Sequence, residues 1–221
     1  MMNAEELKKI YNENFLSRSN RWSTSSNTRS LKIASHINAQ IKILAKNCDL
    51  KKLLDVGCAT GYYSDAFQKI GFEVTGLDYS DVAVKLAKEK FPRCHFVQMN
   101  GFEPEFTSKF DVIFCKGFSG FNTHDLNFIS SWANQYISLL NPNGILVIGY
   151  SSNFSGQENL NETVNHTKKE LVSLQGLIKA KYCGQSIFHY FGTISRIKKF
   201  VFRILLRSNK KIEYYLYFQK P

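Results

Sequence analysis

The stretch that decides the fold reads Leu53-Leu-Asp-Val-Gly-Cys-Ala-Thr-Gly-Tyr62. It begins as a short apolar run, passes through small residues and continues into a helix-like segment that Gly71 closes. Small residues at such a turn let backbone N–H groups approach a ligand, and the N-terminus of the following helix favours an anionic group. The stretch therefore predicts a strand, a loop that binds a nucleotide-like ligand, and a helix.

The spacing of the glycines separates this loop from the dinucleotide-binding loops of nicotinamide enzymes. Those loops follow the pattern G-x-G-x-x-G, in which the third glycine allows close packing of helix and strand. Here glycine stands at positions 57 and 61, and the bulky Tyr62 occupies the place of that third glycine. A nicotinamide cofactor is therefore disfavoured.

Strand-like and helix-like segments alternate on either side of this loop. Apolar runs predict strands at 52–56, 72–77, 95–99, 110–115 and 145–150, and the segments between them predict helices, one opened by Ser80 and one by Thr123. This alternation is typical of crossover units and of a parallel sheet buried on both faces. The aromatic run at 211–218 predicts a strand that completes one sheet edge, and the polar residues before 52 predict a helical cap.

A carboxylate follows the second predicted strand. Asp78 comes twenty-one residues after Gly57, where an acid can accept hydrogen bonds from both hydroxyls of an adenosine ribose. An acid at the end of a strand is weak evidence alone, but loop, helix, strand and acid together indicate an adenosine-binding site.

With these motifs in place, residues 50–150 resemble the class I S-adenosylmethionine-dependent methyltransferases. The resemblance implies a Rossmann-like three-layer α/β sandwich with a seven-stranded, mostly parallel sheet whose last strand is antiparallel. Since no repeat or low-complexity linker divides the chain, we interpret it as a single domain, 1–221, with a helical cap (1–50), a cofactor-binding core (51–150) and a segment that completes the sheet and faces the substrate (151–221). The residues it assigns to S-adenosylmethionine are Asp55, Gly57, Cys58, Ala59, Gly61, Asp78, Tyr79, Asn100, Gly101, Phe102, Lys116 and Gly117.

Two positions depart from the family's pattern. Ala59 replaces the usual middle glycine of the loop, and Asn143 replaces the first glycine of the turn in Leu140-Asn-Pro-Asn-Gly144. Alanine adds one methyl group and asparagine tolerates a positive φ, so both are compatible with the assignment.

The end of the fourth predicted strand indicates what chemistry to expect. Lys116 stands where metal-dependent relatives carry a carboxylate, so we expect no bound metal and a metal-free transfer to oxygen or nitrogen. His124 is the candidate general base, because an imidazole titrates near the working pH. The alternative interpretation of Thr123-His-Asp125 is an ordinary helix start.

The distribution of charge bears on partners. The formal net charge is +11, with +6 on residues 1–52, −3 on 53–150 and +8 on 151–221, and the basic run Arg196–Lys211 contains no acid. Such segments attract anions, so we expect a small-molecule or glycan-related, anionic acceptor, with peripheral membrane contact and nucleic acid as further possibilities. The five cysteines show no metal-ligand spacing, and an odd number cannot all pair within one chain, so we expect free thiols. Free thiols indicate a reducing compartment, so we expect a cytoplasmic location. The alternatives to a small-molecule enzyme are an RNA-modifying methyltransferase and an inactive cofactor-binding scaffold.

Overall fold

The computed structural model describes residues 9, 12–13, 27–46, 48–157, 164–188 and 212–221. Within them, helices and strands alternate along the core of the chain as the sequence predicts. The helices are α1 (Asn27–Leu44), α2 (Tyr62–Lys69), α3 (Asp81–Lys90), α4 (Leu126–Ser138) and α5 (Lys168–Leu177). The strands are β1 (Lys52–Val56), β2 (Glu73–Asp78), β3 (His95–Gln98), β4 (Phe110–Lys116), β5 (Leu140–Ser152), β6 (Lys181–Ile187) and β7 (Ile212–Gln219). The basic run 196–211 lies outside the described residues.

The strands form one seven-stranded sheet in the order β3-β2-β1-β4-β5-β7-β6. Strands β3, β2, β1, β4 and β5 are parallel to one another, and β7 is antiparallel to both β5 and β6. The predicted fold class and the antiparallel last strand are therefore confirmed. The predicted position of β7 at an edge is wrong, because the polar strand β6 pairs with its outer side and forms the edge.

Helices cover both faces of the sheet. On one face, α1, α2 and α3 pack Ile37, Phe67 and Val84 against sheet residues such as Phe114. On the other face, α4 and α5 contribute Trp132, Leu171 and others to a second core with Ile113 and Ile148. The result is the three-layer arrangement that a sheet buried on both sides requires.

The helix ends follow local signals, with one correction. Ser80 caps α3 by accepting a hydrogen bond from the backbone N–H of Ala83 at 3.0 Å, as the sequence predicts. Helix α4, however, is capped by Asp125 rather than opened by Thr123, because the Asp125 carboxylate accepts from the backbone N–H groups of Asn127 and Phe128. His124 therefore lies in the loop before the helix.

The order of the strands creates a crevice between β1 and β4. The chain leaves β1 towards α2 on one face, whereas it leaves β4 towards α4 on the opposite face. Ligands of open α/β sheets bind beyond the carboxyl ends of the strands at such a switch point. The fold therefore places the loop after β1, Asp78 and the loop after β4 around one crevice.

Candidate functional site

The loop after β1 has an unusual backbone. Gly57, Ala59 and Gly61 all have positive φ values, of 69°, 48° and 82°. A side chain at Gly61 would lie 2.8 Å from the ring of Phe96, so this position requires glycine for space as well as for conformation. The loop is fixed to β2 by the backbone N–H of Cys58, which donates to the carbonyl of Leu77 at 2.9 Å.

Asp78 lies at the end of β2, on the side of the crevice opposite the loop after β4. One carboxylate oxygen accepts from the backbone N–H of Ala59 at 2.8 Å, and the other accepts from the backbone N–H of Ser80 at 2.9 Å. Burial raises the pKa of Asp78, and the backbone hydrogen bonds oppose that effect. The backbone N–H of Tyr79 also acts on this carboxylate. Each oxygen of an ionised carboxylate can accept more than one hydrogen bond, so Asp78 suits a ribose diol.

Two more buried polar groups belong to this region, Asp55 in β1 and Thr60 in the loop. The carboxylate of Asp55 accepts from the hydroxyl of Ser64 at 2.6 Å, and burial raises the pKa of Asp55 to about 7. The hydroxyl of Thr60 is buried and has no hydrogen-bond partner among the described residues. An orphaned hydroxyl in a loop of small residues is the kind of group that a bound cofactor can satisfy.

An aromatic wall faces the crevice beside β3 and β4. The rings of Phe102 and Phe118 lie 5.0 Å apart, and Phe128 extends the cluster at 5.5 Å from Phe102. Gly101 lies against Phe118, where any side chain would collide at 2.7 Å. The side chain of Asn100 turns back to accept from the backbone N–H of Phe102, so its role towards a ligand stays a prediction.

Sequence reasoning missed Phe118 as a residue of the site. Its place directly after the predicted cofactor residue Gly117 could have indicated it. A second missed residue is Asn12. Its side chain accepts from the hydroxyl of Ser80 at 2.6 Å and donates to Asp81 at 2.7 Å. The N-terminal segment thereby reaches the start of α3, next to Asp78.

Lys116 ends β4 inside a small ionic cluster. Its ammonium lies 3.4 Å from the carboxylate of Glu213, which the guanidinium of Arg29 also contacts at 2.7 Å. The hydroxyl of Tyr215 donates to the same carboxylate. Burial opposes the charge of Glu213, but Lys116 and its other partners hold the pKa of Glu213 below its usual range. Two cations therefore share one buried carboxylate at the end of β4.

The other predicted cofactor residues lie around the same crevice. Gly117 has a φ of 68° and open space beside it. Tyr79 is half-buried directly after β2. The Cys58 thiol is buried, and burial raises its pKa, which keeps it protonated and unreactive. Within the described part of the chain, no group of three His, Cys, Asp or Glu side chains is placed to hold a metal ion.

His124 has the geometry of an oriented base. Its Nδ1 lies 2.6 Å from a carboxylate oxygen of Glu170. Glu170 is itself held by a capping box at the start of α5, where its other oxygen accepts from the backbone N–H and the hydroxyl of Thr167. Burial opposes the charge, but these hydrogen bonds outweigh it and lower the pKa of Glu170 to about 2. Sequence reasoning missed Glu170, although Thr167-x-x-Glu170 is a capping-box pattern.

A second histidine, to which sequence reasoning gave no role, lies in the segment directly before α5. The Nε2 of His166 lies 2.7 Å from the backbone carbonyl of Thr123, and its ring lies 5.7 Å from that of His124. Burial lowers the pKa of His166. The two imidazoles are therefore neighbours beyond the carboxyl ends of β4 and β5.

The model of a methyltransferase domain family matches residues 48–218, which is more than half of the chain. The chain belongs to the class I S-adenosylmethionine-dependent methyltransferases. The glycine loop, the acceptor capacity of Asp78 and the orphaned Thr60 hydroxyl fit the cofactor of this family, S-adenosylmethionine.

Curated relatives match part of this chain. The ubiquinone biosynthesis O-methyltransferase of Actinobacillus pleuropneumoniae is 37% identical over 106 residues, which cover 43% of this chain and 44% of the relative. The chain matches between 21% and 44% of the length of its curated relatives.

Solved structures share the fold at low identity. The magnesium protoporphyrin IX methyltransferase ChlM from Synechocystis PCC 6803, with bound SAM, has a TM-score of 0.63 at 14% identity, covering 100% of this chain and 99% of ChlM. The N-methyltransferase NodS from Bradyrhizobium japonicum WM9, in complex with S-adenosyl-L-homocysteine, has a TM-score of 0.63 at 12% identity, covering 97% and 98%. In the described part of this chain, no helix is both long and apolar enough to span a bilayer.

Proposed function

We propose that this methyltransferase moves a methyl group, without a metal, from S-adenosylmethionine to an oxygen or nitrogen atom of a small-molecule or glycan-related acceptor. The observation that carries the proposal is the hydrogen-bonded pair of His124 and Glu170 beyond the end of β4. The fold alone does not distinguish acceptors, because function depends on the acceptor site.

The cofactor side of the reaction rests on Asp78 and the loop after β1. Asp78 would hold the ribose, and the backbone of residues 55–61 would hold the methionine portion. The bound cofactor supplies a methyl group already activated on a sulfonium. The remaining work of the protein is therefore to align the acceptor atom with that methyl group and to exclude water.

The acceptor side needs a base if the acceptor atom carries a proton. The ionised carboxylate of Glu170 accepts the Nδ1–H of His124, which leaves the lone pair of the imidazole on Nε2. Nε2 is then the atom that takes the proton from an acceptor hydroxyl or ammonium group. Glu170 stabilises the imidazolium that forms, in the way a carboxylate orients other catalytic histidines.

The charge around β4 supports an anionic acceptor. Arg29 and Lys116 both contact the carboxylate of Glu213, which places two cationic side chains at the end of β4. In the sequence, the segments before and after the core carry a further net positive charge, which favours anionic partners. All five cysteines are free, which supports the inference that the enzyme works in the reducing cytoplasm.

A transfer assay with methyl-labelled S-adenosylmethionine tests the proposal. The protein is incubated with a cell extract that is afterwards separated into small-molecule and RNA fractions. We expect label in the small-molecule fraction, lost with Asp78→Asn and strongly reduced with His124→Ala, while Asp49→Asn at an exposed ion pair retains it. Label confined to RNA, with steeply salt-dependent RNA binding, supports an RNA-modifying enzyme instead. Cofactor binding without label in any fraction supports an inactive scaffold.

A further inference from the structure

Three orphaned polar atoms lie together at the carboxyl end of β5. In the described part of the chain, four buried side-chain nitrogen or oxygen atoms lack a hydrogen-bond partner, and three of them are the hydroxyls of Tyr150 and Tyr214 and the Nδ1 of His166. The ring of Tyr150 lies 4.9 Å from that of His166 and 4.7 Å from that of Tyr214. Tyr150 is 8% exposed, His166 is 1% exposed and Tyr214 is 2% exposed. We refer to the three residues as the tyrosine–histidine cluster.

The hydrogen bond of His166 fixes which atoms of the cluster donate and which accept. A carbonyl oxygen only accepts, so the contact of Nε2 with the Thr123 carbonyl requires the hydrogen on Nε2. In the neutral ring, Nδ1 then carries a lone pair and is a hydrogen-bond acceptor. Burial is the main cause that raises the pKa of both tyrosine hydroxyls, so both keep their protons and can donate. The two hydroxyls lie close enough to affect each other's pKa, and Ser152 and the backbone of His166 also act on the hydroxyl of Tyr150. Among the described residues, however, none of these contacts reaches full hydrogen-bonding geometry.

The position of the cluster connects it with the transfer site. Tyr150 and Tyr214 are directly paired across β5 and β7, and the hydroxyl of Ser152 holds the backbone carbonyl of His166 at 3.0 Å. His166 also lies beside His124. The cluster therefore occupies the same end of the sheet as the crevice, on the side of β5.

The donor and acceptor pattern matches one kind of ligand group. A hydroxyl can donate to Nδ1 of His166 and accept from a tyrosine hydroxyl at the same time. A carboxylate or phosphate has no hydrogen for Nδ1, and an ammonium has no lone pair for the tyrosines. Aromatic rings surround the cluster, with Phe121 at 4.9 Å from both Tyr150 and His166 and Phe154 at 5.5 Å from Tyr214. Such walls suit an aromatic ring or the apolar face of a sugar ring.

We propose that Tyr150, His166 and Tyr214 form a subsite that binds a hydroxyl group of the methyl acceptor, carried on a ring such as that of a phenol or a sugar. This inference rests on the proposed function, because it assigns a place to the acceptor. Buried polar atoms in folded proteins nearly always have partners, so three orphans in one cluster indicate partners that arrive with a ligand.

Entry to the subsite requires a covering side chain to move. Phe154 packs on Tyr214 and has a φ of 61°, a conformation that bulky residues rarely adopt. Backbone strain of this kind is concentrated at ligand-binding elements. Phe154 is therefore the side chain that we assign to the entrance.

The first test needs no substitution. The full-length protein with 15N-labelled histidine is titrated with phenol, with anisole, with methyl β-D-glucopyranoside and with the tetra-O-methyl ether of that sugar, and the Nδ1 resonance of His166 is followed by NMR. We expect a saturable shift with phenol, with the sugar, or with both, and this outcome identifies the ring. No shift with either hydroxyl compound, or equal shifts with the methyl ethers, overturns the subsite.

A second test uses Tyr150→Phe and Tyr214→Phe. Because the hydroxyls have no partner in hydrogen-bonding geometry among the described residues, we expect melting temperatures equal to or above that of the wild type, together with a weaker His166 shift. Lower melting temperatures in both variants overturn the proposal, because they show hydroxyls that already have partners. Calorimetric binding of S-adenosylmethionine is measured in parallel. Its loss counts against the proposed function, whereas normal cofactor binding without a His166 shift counts against the subsite alone.

Discussion

The carboxylate of Asp78 accepts a hydrogen bond from the backbone N–H of Ala59 at 2.8 Å, and so joins the end of β2 to the loop after β1. The bond spans the crevice wall and holds Ala59 at a φ of 48°. One residue therefore fixes the shape of the loop and presents acceptor atoms to the ribose position.

Replacing Ala59 by glycine should stabilise the free protein. An L-residue in the left-handed region costs about 1–2 kcal/mol, and glycine removes that cost while losing about 0.5–1 kcal/mol in chain entropy. We expect the free energy of unfolding to rise by about 0.5–1 kcal/mol in denaturant titrations. The matched variant Asn143→Gly, at a φ of 63°, should change less, because asparagine tolerates this conformation. A destabilised Ala59→Gly protein would contradict this explanation.

The carboxylate of Glu170 should stabilise the fold only above acidic pH. Its pKa is lowered to about 2 from an ordinary value of 4.5, so the folded state favours the ionised form. The resulting stability is present above about pH 4.5 and is lost as the pH falls towards 2. The side chain is partly exposed, and screening reduces the effect to about 1 kcal/mol. The free energies of unfolding of wild type and Glu170→Gln, compared at pH 7 and at pH 2.5, measure this contribution. An equal difference at both pH values would disprove the lowered pKa of Glu170.

Turnover should depend on both members of the His124–Glu170 pair, to different degrees. A general base contributes about 10²–10⁴-fold, so His124→Ala should lower kcat by at least about 10²-fold at neutral pH. Glu170→Gln removes the orienting carboxylate, and we expect a loss of about 10- to 100-fold. Cofactor affinity should change little in either variant. Equal kcat values in wild type and His124→Ala would show that His124 is not a base and is only a residue of the loop before α4.

The ionic cluster at the end of β4 should contribute strongly to stability. Glu213→Gln leaves Lys116 and Arg29 without their buried carboxylate, and we expect a loss of about 2–4 kcal/mol, because Lys116 is largely buried. Asp49→Asn is the matched control, since its pair with Lys51 is exposed and should matter far less. The comparison is made by denaturant unfolding, and similar effects of the two variants would argue against a buried cluster.

The parts of the molecule that the sequence predicted well depend on local signals. The run from Leu53 to Tyr62 encodes strand, loop and helix within ten residues, and Gly71 and Ser80 mark helix ends by conformation and capping. The two departures from the family pattern, Ala59 and Asn143, adopt the positive φ values of the glycines they replace.

The features that the sequence did not predict depend on contacts between distant residues. The edge strand β6 is polar and half-exposed, so its sequence lacks the alternation of apolar residues that predicts a strand. Glu170 meets His124 across 46 residues, and His166 meets the carbonyl of Thr123 across 43. Such pairs exist only once β5 and α5 are packed. The roles of the predicted site residues stay predictions, whereas the fold and the family are confirmed.

The central claim is that Asp78 binds the adenosine ribose of S-adenosylmethionine, and calorimetric titration tests it most directly. Wild type, Asp78→Asn and the surface control Asp49→Asn are titrated with S-adenosylmethionine, S-adenosylhomocysteine and NAD. We predict that the wild type and the control bind both adenosyl ligands but not NAD, and that Asp78→Asn weakens their binding by about 1–3 kcal/mol, the range for losing a charged hydrogen-bond partner. Undetectable adenosyl binding, or binding that Asp78→Asn leaves unchanged in a protein that remains folded, would contradict the account.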